Sequence, residues 1–476
     1  MRILYIVTSS KEYNTGEKAT KYGQDRLFDI VVPVLMESVE SIQQSYHNID
    51  VYLILGYTLS DERYTLIQNL LPINVGLEIW NDATPIHYDY ITSKQKQVYM
   101  TQRDKLLARQ HRYVIKDKLP YYDFFVVYED DMLIKEHHIQ YYLQFNNEIN
   151  KYKRGLLLAE QQQEDKTSLS SNDIDNDEFW GSLTMKQLDH IKPGFIRVEV
   201  IKNHTEFDKD GVVDRGHSVA ASTAIDPSLC CHSKYIGHQG RLVPQYPTSN
   251  DIVIWETSID GMHIKQMPKR LELKQSQSKS SLPLLDWVVV LPIKGEPLSM
   301  SAYWSGNVPD LTPSSSSSSS SASSATKIKK KPPPSLLNEY ISQSASWMAT
   351  SNEILDYNYK LCKGTSSFIP PFDGYHVAED GYTHVTDSVE FWSGSLQLYG
   401  QQCSIQRLVA IDTDNFSKHL IYHTANNKQI ELPNTRFTKV KTLYEQLQRV
   451  VKQAKKYKRT KLRNQSWWNY FFYFLF

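Results

Sequence analysis

The sequence predicts an α/β fold, with a mixed, mostly parallel central sheet flanked by helices on both faces. Three observations predict it. Strand-like and helix-like segments alternate through the first third of the chain. The strand-like segments are short continuous apolar runs, as expected of strands buried on both faces. One of them, Phe124 to Tyr128, ends abruptly in three consecutive acids, Glu129, Asp130 and Asp131. Open α/β sheets take their ligands at the carboxyl ends of strands, so the acids mark where a site belongs.

The elements follow in order. Ile3 to Val7 is the first strand, and a polar loop, Thr8 to Thr20, follows it. Leu27 to Tyr46 predicts a helix interrupted at Pro33, and Val51 to Leu55 the second strand. Ser60 with Asp61 and Arg63 begins a second helix, which Pro72 stops just past Leu71. Val75 to Trp80 is the third strand. A polar helix from about Lys94 to Leu119 then delivers the acid-tipped strand. Such β-α-β-α-β-α-β alternation favours a parallel sheet covered by helices.

Past Asp131 the pattern fragments. Residues 160–178 are acidic and rich in Gln, Ser and Asn, and 274–281 are polar. The stretch 312–335 holds the run Ser314 to Ser321, then Lys327 to Lys331 and Pro332 to Pro334. Segments like these bury too little apolar surface to offset their ordering entropy, and predict flexible insertions. At the carboxyl end, Thr438 to Arg463 is a helix candidate with ten Lys or Arg against one acid, Glu445. Trp467 to Phe476 holds eight aromatics in ten residues, too short a run to cross a bilayer as a helix. The segment 438–476 therefore suits either peripheral contact with an anionic membrane or a solvated basic face with its aromatics packed on the domain.

Basic and acidic residues balance at 53 each, which gives no reason to expect a nucleic-acid partner. Four cysteines make no disulfide framework and no zinc spacing. Cys362 and Cys403 are able to pair in a secretory lumen, and adjacent Cys230 and Cys231 are poor mutual partners. Asn203, Asn415 and Asn464 fit the short glycosylation pattern. Met1 leads straight into the first strand, so the chain as it stands reads as cytoplasmic. A leader missing from the gene model would instead put it in the Golgi or endoplasmic reticulum lumen.

Three adjacent carboxylates repel one another, and desolvating them without a counter-ion is costly. A hard divalent ion relieves this, and commonly completes its shell with phosphate oxygens. A solvated acidic turn is the plainer alternative. Two later features change the balance. Glu390 sits in an apolar frame, Val389-Glu390-Phe391-Trp392, and His423 ends the apolar run Leu420 to Tyr422. Each alone is more often a satisfied structural group. No glycine-rich phosphate loop of the Walker type occurs, which argues against a nucleotidyltransferase.

That order of features resembles the metal-dependent nucleotide-sugar glycosyltransferases of the Rossmann-like GT-A fold. More closely, the chain resembles a group of glycosyltransferase-like proteins of lower eukaryotes. The resemblance lies in Ile3–Ser10, Asp50–Tyr57, Gly76–Pro85, Arg109–Ile134, Pro193–Glu199, Trp347–Leu355, Phe368–Asp373, Val389–Leu398 and His419–Gln429. Blocks on both sides of the serine run imply one domain over 1–437, followed by the 438–476 tail. The resemblance implies that Glu129-Asp130-Asp131 is the Asp-x-Asp signature, with Glu129 in place of the first Asp. It implies Mn²⁺ or Mg²⁺ held by Asp131 and His423, with Glu129 and Asp130 on the donor side. Asp82 would contact base or ribose, and Arg109 and Arg112 would neutralise diphosphate. Glu390 would be the base of an inverting reaction, where Asp is usual, with Asp380 as the alternative. An acceptor-side loop maps near Ser344 to Thr350, without the usual glycine. Trp392 or Trp347 would stack on a sugar, although a core tryptophan is the commoner case. The implied activity is transfer of a hexosyl or N-acetylhexosaminyl group from a nucleoside-diphosphate sugar to a hydroxyl of a glycan or protein. A catalytically inactive binding or scaffolding protein on the same fold is the alternative.

Overall fold

The computed structural model describes residues 1–14, 23, 25–83, 107, 110–164, 188, 191–200, 212–214, 252–255, 263–266, 287–290, 346–356, 406–411, 413–424 and 436–475, some of them by backbone alone. At its centre are four parallel strands, β1 (Arg2–Ser9), β2 (Asn48–Leu55), β3 (Leu77–Trp80) and β4 (Phe124–Glu129). A fifth strand from far along the chain, β12 (Ser346–Thr350), pairs antiparallel with β4. The spatial order is β12-β4-β1-β2-β3. This is a mixed, mostly parallel sheet.

Alternation along each strand builds a core on each face. Ile3, Tyr5 and Val7 pack with Leu35 and Val39 of α1 (Val32–Gln43) and Ile67 of α2 (Asp61–Leu70). Leu4 and Ile6 pack on the other face with Ile115 of α3 (His111–Lys118) and Ile354 of α5 (Ser351–Asp356). The N-cap of α2 is Ser60, whose hydroxyl accepts from the Arg63 amide at 3.4 Å. Thr350 and Glu353 form a reciprocal capping box at α5: the Thr350 hydroxyl accepts from Glu353 N at 3.1 Å, and Glu353 accepts from Thr350 N at 2.8 Å. Pro33 does not break its helix. It falls where α1 continues a π-helical turn over Leu27–Val31, and the backbone stays helical through it.

After β4, a two-residue strand β5 (Met132–Leu133) leads into α4 (Glu136–Glu164). That helix overturns part of the predicted loop, since residues 160–164 belong to it; the rest of 160–178 lies outside the described residues. Ile139 and Tyr142 of α4 face the central core, while Phe145, Ile149 and Tyr152 enter a separate core. The second core belongs to a four-stranded sheet in the order β10 (His263–Gln266), β11 (Trp287–Val290), β13 (Gln406–Ala410), β6 (Ile191–Pro193). A six-stranded sheet runs β5, β14 (Leu420–His423), β7 (Ile196–Val200), β9 (Ile252–Trp255), β15 (Arg436–Lys439), β8 (Val212–Asp214). Between β13 and β14 lies the short helix α6 (Thr413–Phe416).

The carboxyl-terminal helix α7 spans Val440–Leu475, so it starts later than predicted, because 436–439 form β15, and runs on through the aromatic segment. Leu443, Leu447 and Val451 recur every four residues and pack on Val198 and Ile254 of the six-stranded sheet. Lys452, Lys455 and Lys456 stand exposed on the other side. Among the described residues, no helix is long and apolar enough to cross a membrane. Asn415 is buried and its side-chain oxygen accepts from Lys418 at 3.3 Å, so that glycosylation pattern is closed in the folded chain. The 274–281 and 312–335 insertions and all four cysteines lie outside the described residues.

Candidate functional site

The sheet order reverses between β1 and β4, and the crevice above that switch point is where open α/β sheets bind ligands. The strand ends there are tied together through the backbone. Asp130 N donates to the Thr8 carbonyl at 3.2 Å, Gly56 N to Ser9 at 2.9 Å, and Asp82 N to Tyr57 at 3.1 Å. A Cβ on Gly56 would come within 3.0 Å of the Ser10 carbonyl, so the close approach of these two chain ends needs glycine. Asp82 turns the chain after β3 with φ of 49°, a left-handed conformation that Asp tolerates better than most residues.

The first continuation of the acid-tipped strand is β5, and β14 pairs with it so that His423 lies opposite Met132. The Asp131 carbonyl accepts from Thr424 N at 2.7 Å and from the Thr424 hydroxyl at 2.8 Å. This pins residue 423 beside residue 131 across nearly three hundred residues of sequence. His423 Nε2 lies 3.1 Å from Asp131 Oδ2, and Nδ1 lies 3.0 Å from Glu199 Oε1. From the loop ahead of the π-helical turn, Arg26 Nη2 reaches Asp130 Oδ1 at 2.5 Å and Asp131 Oδ2 at 3.4 Å. Arg197 extends the network, 3.9 Å from Glu199 and 3.8 Å from Glu129, whose side chain is the solvent-facing member.

Burial makes each charge depend on its neighbours. Both ring nitrogens of His423 face carboxylates, which is satisfied only when both carry protons. Burial and Arg197 oppose that charge, but Asp131 and Glu199 outweigh them and raise the His423 pKa. The same pairing, against the cost of burial, holds Asp131 far below the usual carboxylate range. Asp130 moves the other way. Its burial and its neighbour Asp131 raise it more than Arg26 lowers it. Asp130 Oδ2 and Asp131 Oδ1 make no hydrogen bond among the described residues, although both side chains are buried.

Asp131 and His423 are the two side chains that would hold a hard divalent ion, which would have to replace the proton their hydrogen bond now shares. Ligands at 2.0–2.1 Å on perpendicular axes stand about 3.0 Å apart, close to the 3.1 Å between Asp131 Oδ2 and His423 Nε2. Glu199 fixes the far side of the imidazole, as carboxylates do behind metal-bound histidines. Among the described residues, no group of three His, Cys, Asp or Glu side chains is placed to hold a metal ion. Two protein ligands suit an ion that fills its shell with phosphate and water.

Of the residues expected from sequence, Asp130, Asp131 and His423 meet in one buried network beside the β1/β4 switch point, with Glu129 at its exposed side. Asp82 lies on the same edge of the sheet, three strand spacings or about 14 Å along it. Arg112 lies in the first turn of α3 with its side chain undescribed, and Arg109, Asp380, Glu390 and Trp392 lie outside the described residues. Two expectations are corrected. Residues 346–350 are not an acceptor loop but the antiparallel edge strand β12, and Trp347 is a core residue whose Nε1 donates to His111 Nε2 at 3.2 Å. Sequence reasoning missed Arg26, Arg197 and Glu199. In Ile196-Arg197-Val198-Glu199 the alternation looks like a half-solvated strand, yet Arg197 and Glu199 are buried. Charged residues facing inward have no signature that periodicity alone separates from charged residues facing water. A comparison with known proteins finds no family model, no curated protein and no solved structure that matches this chain.

Proposed function

We propose that the protein is a metal-dependent glycosyltransferase of the GT-A fold, moving a hexosyl or N-acetylhexosaminyl group from a nucleoside-diphosphate sugar to a hydroxyl of a glycan or protein. The observation that carries this reading is the meeting of Asp131 and His423 beside the β1/β4 switch point. Mn²⁺ or Mg²⁺ at those two side chains would neutralise the diphosphate as it leaves. The chain's own part is to orient and to hold charge. Glu199 keeps His423 Nε2 turned to Asp131, Thr424 anchors the Asp131 backbone, and Asp82 would contact base or ribose. Arg109 and Arg112 would add positive charge at the diphosphate. Glu390, or Asp380 in its place, would take the acceptor proton in an inverting displacement.

Purified protein with Mn²⁺ and a panel of nucleotide sugars should release nucleoside diphosphate, and Asp131→Asn should lower that release by at least about 100-fold. No release from any donor, with no metal-dependent nucleotide binding, refutes the reading.

One observation favours a catalytically inactive, GT-A-like binding or scaffolding protein instead. Arg26 already compensates Asp130 and Asp131, so the cluster has a counter-charge without an ion. On that reading Asp131→Ala changes stability alone.

A further inference from the structure

We propose that Arg26 is a resident counter-ion, which holds Asp130 and Asp131 in the absence of a cation, yields them to a divalent ion, and turns to the diphosphate that the ion brings. This rests on the reading that the crevice takes a metal-bound nucleoside diphosphate. Four observations point to it. First, the guanidinium holds both carboxylates through one nitrogen, Nη2, rather than through a two-pronged fork. A shared single contact lacks the paired bonds that make arginine–carboxylate bridges strong, so it is easier to exchange. Second, one oxygen of each aspartate makes no hydrogen bond among the described residues, despite burial. The carboxylates therefore keep acceptor capacity that the guanidinium does not use.

Third, the backbone around Arg26 is held independently of its side chain. Arg63 on α2 bonds both carboxylate oxygens of Asp25, at 2.7 and 2.9 Å, and pairs with Glu12 at 2.7 Å. It also stacks on Phe28, 4.7 Å from the ring centre. The Arg26 side chain can thus change partner while its Cα stays fixed. Fourth, the buried charges balance before any ion arrives, Asp130, Asp131 and Glu199 against Arg26, Arg197 and the His423 imidazolium. A divalent ion that replaces the His423 proton adds one positive charge more than it removes. A guanidinium only 15% exposed then becomes a buried surplus charge, which is costly without a new anion. A diphosphate arriving with the ion supplies that anion at the same edge, where arginine pairs well with phosphate oxygens.

By linkage, Arg26 then opposes metal binding alone and couples it to nucleotide. The test is a Mn²⁺ titration of wild type, Arg26→Gln and Arg26→Lys, with and without UDP or GDP, reading free Mn²⁺ by electron paramagnetic resonance. Without nucleotide, Arg26→Gln should bind Mn²⁺ about tenfold more tightly than wild type, and Arg26→Lys should stay close to wild type. Nucleotide should tighten Mn²⁺ binding more in wild type than in Arg26→Gln. Equal or weaker Mn²⁺ binding by Arg26→Gln, with binding by wild type, overturns the counter-ion role and leaves the metal site standing. No Mn²⁺ binding by any of the three overturns the metal reading as well.

Discussion

His419 and His423 lie four residues apart, both fully buried, and their surroundings give them opposite characters. His419 sits among neutral partners. Its Nδ1 faces the Gly194 carbonyl at 2.6 Å, and its Nε2 accepts from Ala410 N at 2.8 Å and lies 2.6 Å from the Tyr141 hydroxyl. Every ring position is satisfied by a neutral imidazole protonated on Nδ1, and burial drives its pKa down to about 3. His423 instead lies between Asp131 and Glu199, which favour the charged ring against the same burial. Burial alone therefore says nothing about which histidine is charged. The charge of the partners decides, and only His423 has partners that a cation would also seek.

The contrast between the two rings is open to test at several points. Removing His419 should have the largest effect on the fold, because it orphans a buried N–H, a buried carbonyl and a buried hydroxyl at once. With about 1–3 kcal/mol for each such group, His419→Ala should cost at least about 3 kcal/mol in urea unfolding. Next comes the ionic coupling. A double-mutant cycle on Asp131→Asn and His423→Gln should give about 2 kcal/mol, against about 1 kcal/mol for Tyr141→Phe with His419→Gln. Equal couplings would erase the distinction between the two histidines.

The pH dependence of the two rings has opposite signs. The folded pKa of His423 is raised above 6.5, so its contribution is complete below pH 6.5 and lost as pH climbs through the folded value. His419 is lowered, so the unfolded chain takes up a proton that the folded one refuses. Stability then falls between pH 6.5 and about 3, by up to about 1.4 kcal/mol per pH unit. Unfolding curves in a chelator should show His423→Gln flattening the alkaline limb relative to wild type, and His419→Gln flattening the acid limb. The reverse pattern would contradict a charged His423 beside a neutral His419.

The parts of the molecule legible in sequence are those whose burial is uniform. Val126 and Val127 of β4, or Leu53 and Ile54 of β2, lie inside on both faces, so the apolar run itself announces the strand. The acids at Glu129 to Asp131 were legible because they interrupt such a run. The long helix α4 was not, because its tyrosines divide between two cores and its stripe never forms one clean face. Nor was β12, whose pairing with β4 joins residues more than two hundred positions apart. Arg26 and Glu199 were out of reach for a related reason. Glu199 is brought in by the pairing of β7 with β14 and of β14 with β5, and Arg26 by a contact with Asp130 across about a hundred residues, and no local pattern encodes either.

Whether Asp131 and His423 hold an ion is decided by the Mn²⁺-dependent shift in melting temperature, compared between His419→Gln and His423→Gln. His419→Gln should start from a lower melting temperature yet rise with Mn²⁺ as wild type does, and His423→Gln should not respond. A full Mn²⁺ response in His423→Gln, or none in wild type, would contradict the assignment of Asp131 and His423 as the ion's ligands.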